Sequence, residues 1–153
     1  MGEVGIAALL CGLLSGGATE MRQSFPNLGE NRIIRIDCET PTHVIEIGLD
    51  NKAGSRDSVH QAVFSALLAG KTPMVVIIDT DGREDRYQYE IRRVADHLGI
   101  AYGTCSKDFV VAWAATSAFR DVPLDKSLND LPVMASSRVS CDLGKAISLP
   151  TLE

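Results

Sequence analysis

The 153-residue chain has no Cys-x-x-Cys pair and no clustering of cysteine with histidine. Cys11, Cys38, Cys105 and Cys141 are widely scattered, which argues against a structural zinc site. They are expected as reduced thiols of a cytoplasmic protein. Basic residues are in the minority, with 15 Lys and Arg against 20 Asp and Glu and a formal net charge of −5. Such a balance excludes a broad, sequence-blind grip on nucleic acid, which needs a basic face, but leaves room for a local basic groove. No Lys or Arg precedes the apolar stretch in "MGEVGIAALLCGLLSGGAT", where the first charge is Glu3. A secretory signal begins with positive charge, so a helix of the mature protein is expected instead. The same stretch is too short and too broken by glycine to span a membrane. No internal repeat is visible. At 45% hydrophobic and 23% charged residues, the chain reads as one ordinary globular domain, long enough to bury a core.

The periodicity assigns the elements. Residues 3–15 read as a helix ended by Ser15-Gly16-Gly17, and "TEMRQSFPN" as a first strand. "NRIIRIDCE" alternates Ile34, Ile36 and Cys38 with Arg35, Asp37 and Glu39, and "THVIEIGL" alternates Ile45, Ile47 and Leu49 with Val44, Glu46 and Gly48. "SRDSVHQAVFSALLAG" is a helix with Ser55 as N-cap, Gly70 as stop, and Val59, Val63, Ala66 and Leu67 at helical spacing. The unbroken "TPMVVIIDT" reads as a strand buried on both faces. "REDRYQYEIRRVADHLG" is a helix with Tyr87, Ile91, Val94 and Leu98 on one stripe. "IAYGTCS" is a short strand and "DFVVAWAATSAF" a helix, with Trp113 in the core or at a contact between copies. The expected fold is α/β, a mixed central sheet with a β-hairpin flanked by helices, over residues 1–120. Residues 121–153, rich in Pro and Ser, are expected as an irregular C-terminal tail that offers a surface for a protein partner or a second copy.

The hairpin raises a chemical question. If Pro41-Thr42 is its two-residue turn, paired positions sum to 83 and Asp37 lies opposite Glu46 on one face. Opposed residues have Cβ atoms roughly 5 Å apart, and like charges there repel. Two such carboxylates call for a cation, and Mg²⁺ or Mn²⁺ suits a pair of carboxylates with water and phosphate oxygens. The alternative is a solvated face on which Arg35 pairs with one of the acids.

A helix, a strand, a hairpin with Asp37 and Glu46 on its two arms, then a helix and a buried strand: this order, over roughly residues 1–105, resembles the PD-(D/E)XK nuclease superfamily. The resemblance implies a restriction-endonuclease-like fold and Mg²⁺-dependent hydrolysis of phosphodiesters in DNA or RNA. It assigns Asp37, in "IDC", and Glu46, in "VIEIG", as metal ligands. The motif Lys is missing, because Gly48 stands in its place. Lys52 and Arg35 are the candidate replacements, Arg35 because it would face Gly48 in the same register. Asp50-Asn51-Lys52 offers a second D-x-K reading. Gln61 corresponds to a supporting residue that some members carry on the next helix, and Glu3 to an auxiliary acid on the first. Without its Lys, such a scaffold could also serve as a catalytically inactive binding or assembly module.

A competing constellation ends the buried strand, where "IIDTDG" carries Asp79 and Asp81. The D-x-D spacing resembles the Toprim domain, another Mg²⁺-binding module. The structural alternative is a turn in which Asp79 caps the next helix.

Overall fold

A computed structural model describes residues 2–14, 17–116 and 141–143. Helix α1 (Glu3–Leu13) leads into strands β1 (Ala18–Asn27), β2 (Glu30–Glu39) and β3 (His43–Leu49). A 3-10 turn at Ala53–Asp57 precedes α2 (Ser58–Ala69), followed by β4 (Thr72–Asp79), α3 (Arg86–Leu98), β5 (Ala101–Ser106), α4 (Lys107–Ala115) and the short β6 (Cys141–Asp142). The strands lie in the sheet in chain order, β1 to β6. The first three pair antiparallel, β3, β4 and β5 run parallel, and β6 returns antiparallel. The mixed sheet and the β3–β4 parallel pairing are those expected from the alternation in "THVIEIGL" and the unbroken run in "TPMVVIIDT".

Each face of the sheet is covered by two helices. Ile6, Leu10 and Cys11 of α1 and Val110 of α4 pack over Ile45, Ile47, Met74, Val76 and Ile78. On the other face Val59 and Ala62 of α2 and Ile91 of α3 cover Val75 and Ile77. Parallel strands need crossover connections, and these helices bury both faces of the strands they join. No helix among the described residues is long and apolar enough to cross a membrane. Trp113 packs partly buried against the α1 side of the core.

Several local expectations are corrected. The buried stripe of α2 is Ser58, Val59, Ala62, Ser65 and Ala66, whereas Val63 and Leu67 are exposed. In α3 the buried residues are Gln88, Ile91 and Ala95, with Val94 and Leu98 outward. Close approach of helix to sheet favours small side chains over the large apolar ones. Ser55 does not cap α2. It lies buried in the 3-10 turn, and its hydroxyl donates to the Leu49 carbonyl at 2.8 Å. Gly70 does end the helix, with φ of 67° in the left-handed region that suits glycine. Of the expected tail, only residues 141–143 are described, and there Cys141–Asp142 extend the sheet. The rest of residues 121–153, with its expected role in partner or homo-oligomer contacts, lies outside the described residues.

The expectation of four reduced thiols is also overturned. Cys11 is bridged to Cys38 and Cys105 to Cys141. The topology brings together residues 27 and 36 positions apart, which no local spacing rule detects. The first bridge pins α1 to β2 at the residue after Asp37. Closing a loop of 27 residues stabilises the fold by about 3.5 kcal/mol on the chain-entropy view. The paired variant Cys11→Ser/Cys38→Ser is therefore expected to lower the unfolding free energy in urea by about that amount. An unchanged midpoint would remove the bridge from the list of stabilising features.

A candidate acid site where two strands part

Strand β2 turns over at Asp37. Ile36 packs with Val44 and Ala66 toward α2, whereas Cys38, two residues on, lies in the cluster under α1. In a regular strand both would share a face. The same irregularity marks β1. Its register with β2 is continuous on either side but skips residues 20 and 37, and Glu20 has φ of 56°.

The hairpin register follows from its turn. Thr40 N–H donates to the His43 carbonyl at 2.9 Å, and Glu39 pairs with Val44 and Cys38 with Ile45. These pairs sum to 83, as expected from a Pro41-Thr42 turn. The next step sets Asp37 opposite Glu46, and there the ladder stops. In a continued antiparallel ladder the Ile47 N–H would donate to the Ile36 carbonyl. It donates instead to Asp37 Oδ2, at 3.0 Å. A carboxylate thus takes the place of a backbone acceptor, and the strands open around it.

Glu46 stands in this opening at 2% exposure. Burial is the main reason its carboxyl is pushed from an ordinary 4.5 up to about 8. The charge of Asp37 and a hydrogen bond shared with the Asp37 carboxyl raise it further, and the Asp37 backbone acts in the opposite sense. Oε1 of Glu46 is buried with no hydrogen-bond partner. The solvated-face alternative fails on this burial. An unpartnered carboxylate oxygen against a second carboxyl is the donor set that a hard divalent cation satisfies.

Two clefts flank the acid pair. One of about 530 Å³ is lined by Asp37 and Glu46 together with Arg35, His60, Gln61 and Phe64. The other, of about 450 Å³, is lined by Asp37 with Glu3, Lys52, Gly54, Ser55 and Gln61. Asp37 and Gln61 border both, so the clefts adjoin over the acids. Glu3, at the start of α1, reaches this site while also standing in the helix's first turn.

The two candidate cations differ. Arg35 forms an ion pair with Glu20 and pairs across β1 with Arg22. It does not face Gly48 as expected, because the β2–β3 ladder has already ended at Cys38. Lys52 borders the second cleft, and among the described residues no ion pair or hydrogen bond engages its ammonium. The alternative Asp50-x-Lys52 reading does not assemble with Asp37. Asp50 is 1% exposed and accepts from Thr80 N–H at 2.9 Å and Thr80 Oγ1 at 2.8 Å.

Gly48 has a packing reason. A Cβ built there would meet Ser55 Cβ and Oγ at 2.7 Å and Ile77 Cδ1 at 3.2 Å. The 3-10 turn presses onto the strand where a motif Lys would stand. Gly48→Ala is expected to cost about 1–3 kcal/mol by overpacking, and Ser55→Gly in the same chain to recover part of it. Denaturant unfolding of the single and double variants measures this. Equal stability of Gly48→Ala and the unsubstituted protein would refute the steric account.

Asp50, Asp79 and Asp81 form a second acidic group, with one oxygen of each within 4.8 Å of the others. It lies at the C-terminal ends of the adjacent parallel strands β3 and β4. Both oxygens of Asp50 and one each of Asp79 and Asp81 accept local hydrogen bonds. Asp79 Oδ1 accepts from the Asp81 and Gly82 N–H groups at 3.0 and 2.7 Å, and Asp81 Oδ1 from Arg83 N–H at 2.9 Å. Asp79 therefore closes a turn. It does not cap α3, whose cap is Asp85, accepting from Gln88 N–H at 3.1 Å. Burial raises the Asp50 pKa above its ordinary value against the opposing hydrogen bonds from Thr80.

Comparisons of the chain with family models, curated proteins and solved structures find no match. Of the residues singled out in the sequence, Asp37, Glu46, Arg35, Gln61, Lys52 and Glu3 line the two clefts, together with Glu20, Ser55, His60 and Phe64, which were not singled out as site residues. His60 and Phe64 are four apart on one helix, a spacing that placed them on one face. Nothing in the sequence marked Glu20 as the distorted partner of Asp37.

Proposed function

We propose that the chain is a divergent metal-dependent nuclease of the PD-(D/E)XK type, hydrolysing phosphodiester bonds in nucleic acid. The observation that carries this reading is the Asp37–Glu46 pair at the broken β2–β3 ladder, with a buried Glu46 oxygen left unpartnered. The element order is consistent with a restriction-endonuclease-like fold: a helix, three antiparallel strands, then a helix and a parallel strand. Asp37 and Glu46 would hold Mg²⁺ or Mn²⁺. The ion would supply Lewis acidity toward water and the phosphoryl oxygens. Lys52 offsets negative charge developing on the phosphate, in place of the motif Lys that Gly48 cannot accommodate. Gln61 orients groups between the two clefts, and Glu3 adds a further acid. The catalytically inactive binding module is the outcome if purified protein with Mn²⁺ cleaves neither duplex DNA, single-stranded DNA nor RNA.

The Toprim-like reading finds its support in the Asp50–Asp79–Asp81 cluster. The turn and threonine hydrogen bonds already engaging both oxygens of Asp50 and one each of Asp79 and Asp81 favour the structural role. Asp81→Asn is accordingly expected to change Mn²⁺ affinity, measured by calorimetry, by no more than about twofold, as for a surface substitution. A loss as large as that from Glu46→Gln would move the metal to the second cluster. The cytoplasmic setting proposed from the sequence rested partly on reduced thiols. The two disulfides remove that support, since such bridges persist in oxidising surroundings.

A further inference from the structure

Resting on the reading of Asp37 and Glu46 as a phosphodiester site, we infer that the adjoining cleft takes one unstacked nucleotide of a single strand, its base on the rings of His60 and Phe64. These two rings lie nearly parallel, 13° apart with centroids at 6.4 Å, on the same face of α2. Phe25, from the long β1–β2 hairpin, meets Phe64 at 88° and 5.1 Å and holds its ring in place. Both rings border the 530 Å³ cleft that also contains the acid pair. The volume is that of a small-ligand pocket, which for nucleic acid means a nucleotide and not a duplex.

Charge decides between the two forms of substrate. Duplex binding draws its affinity from many phosphate contacts with Lys and Arg. The two clefts set Glu3, Glu20 and Asp37 against only Arg35 and Lys52, and Arg35 is neutralised by Glu20. Stacking of an exposed base on aromatic faces adds affinity at single-strand sites, and here it would offset the shortage of cations. His60 is exposed, and among the described residues no hydrogen bond or ion pair engages its ring. A base inside a duplex presents no free face to such a shelf.

The test uses the full-length protein in EDTA and a short oligonucleotide carrying a fluorescent adenine analogue whose emission falls on stacking. Single-stranded DNA or RNA is expected to be quenched, and the same sequence in a blunt duplex is not. His60→Ala and Phe64→Leu, the second of which keeps the apolar contact with Phe25, are each expected to weaken single-strand binding by about tenfold. His60→Ala should do so without moving the melting temperature. Equal binding of duplex and single strand, or unchanged affinity in both variants, overturns the inference. Cleavage of single strands in Mn²⁺ without quenching overturns the shelf alone and leaves the acid site standing. Quenching by a protein that cleaves nothing in Mn²⁺ supports the shelf and overturns hydrolysis.

Discussion

Replacing Glu46 by Gln is expected to abolish Mn²⁺-dependent cleavage and, at the same time, to make the metal-free protein more stable at alkaline pH. Both results follow from one buried carboxyl. Glu46 is 2% exposed, faces Asp37, and keeps its proton up to about pH 8. The unfolded chain releases that proton near 4.5, the ordinary value. Between these limits the folded state binds more protons than the unfolded one, so stability falls as pH rises through the window. Below the unfolded value the stability is fully present, and above about pH 8 the loss is complete. A displacement of this size corresponds to several kcal/mol against the ionised form. Gln keeps the shape and removes the ionisation. The difference in unfolding free energy between Glu46→Gln and the unsubstituted protein should therefore grow from about pH 5 to about pH 9, which urea titrations at the two values measure. Carboxyls that do not interact with Glu46 cancel in that difference. Mn²⁺ should stabilise the unsubstituted protein and leave Glu46→Gln almost unaffected, because a ligand bound only by the folded state raises its stability. A flat difference across pH would refute the coupled pair. Full cleavage by Glu46→Gln would remove Glu46 from the chemistry.

The parts of the fold that were legible are those in which one strong local rule acted alone. "PMVVIID" could only be a strand covered on both sides, and it is completely buried from Met74 to Ile78. The Pro41-Thr42 turn fixed the register of the hairpin, and with it the meeting of Asp37 and Glu46. The helix faces were misread because their buried stripes use Ser58, Ala62, Ser65 and Ala95, which carry no hydrophobic signal. Glu46 looked like a residue of a wet face because alternation in β3 suggested one. The strand is in fact covered on both faces by α1 and α2, which no pattern within seven residues can reveal. The turning-over of β2 at Asp37 was hidden for a similar reason. It depends on the left-handed Glu20 in the neighbouring strand, a residue type for which that conformation is uncommon. The site was thus readable as a pair of residues and unreadable as a geometry.

Lys52→Ala is expected to lower cleavage by about 10²–10³-fold while leaving Mn²⁺ binding and stability unchanged, the usual effect of removing one group that stabilises transition-state charge. Arg35→Ala is expected to have a far smaller effect on turnover. The distinction rests on what each cation already does. Arg35 is tied to Glu20 beside the strand irregularity, so its charge is largely spent on a neighbouring carboxylate. Removing it frees Glu20 and should show first as a change in stability or substrate affinity. Lys52 lies on the loop after β3, borders the cleft that contains Asp37, and is exposed with no competing partner among the described residues. Ser55 occupies the space over Gly48, so a cation cannot project from β3 two residues beyond Glu46, and Lys52, past the end of the strand, borders the cleft that contains Asp37. Lys52→Arg should recover part of the activity, since charge matters more than reach on an exposed loop. Separating kcat from KM completes the test. Loss in kcat with KM nearly constant identifies a transition-state role, whereas a rise in KM alone would make Lys52 an ordinary phosphate contact. Loss of turnover in Arg35→Ala with full activity in Lys52→Ala would reverse the assignment.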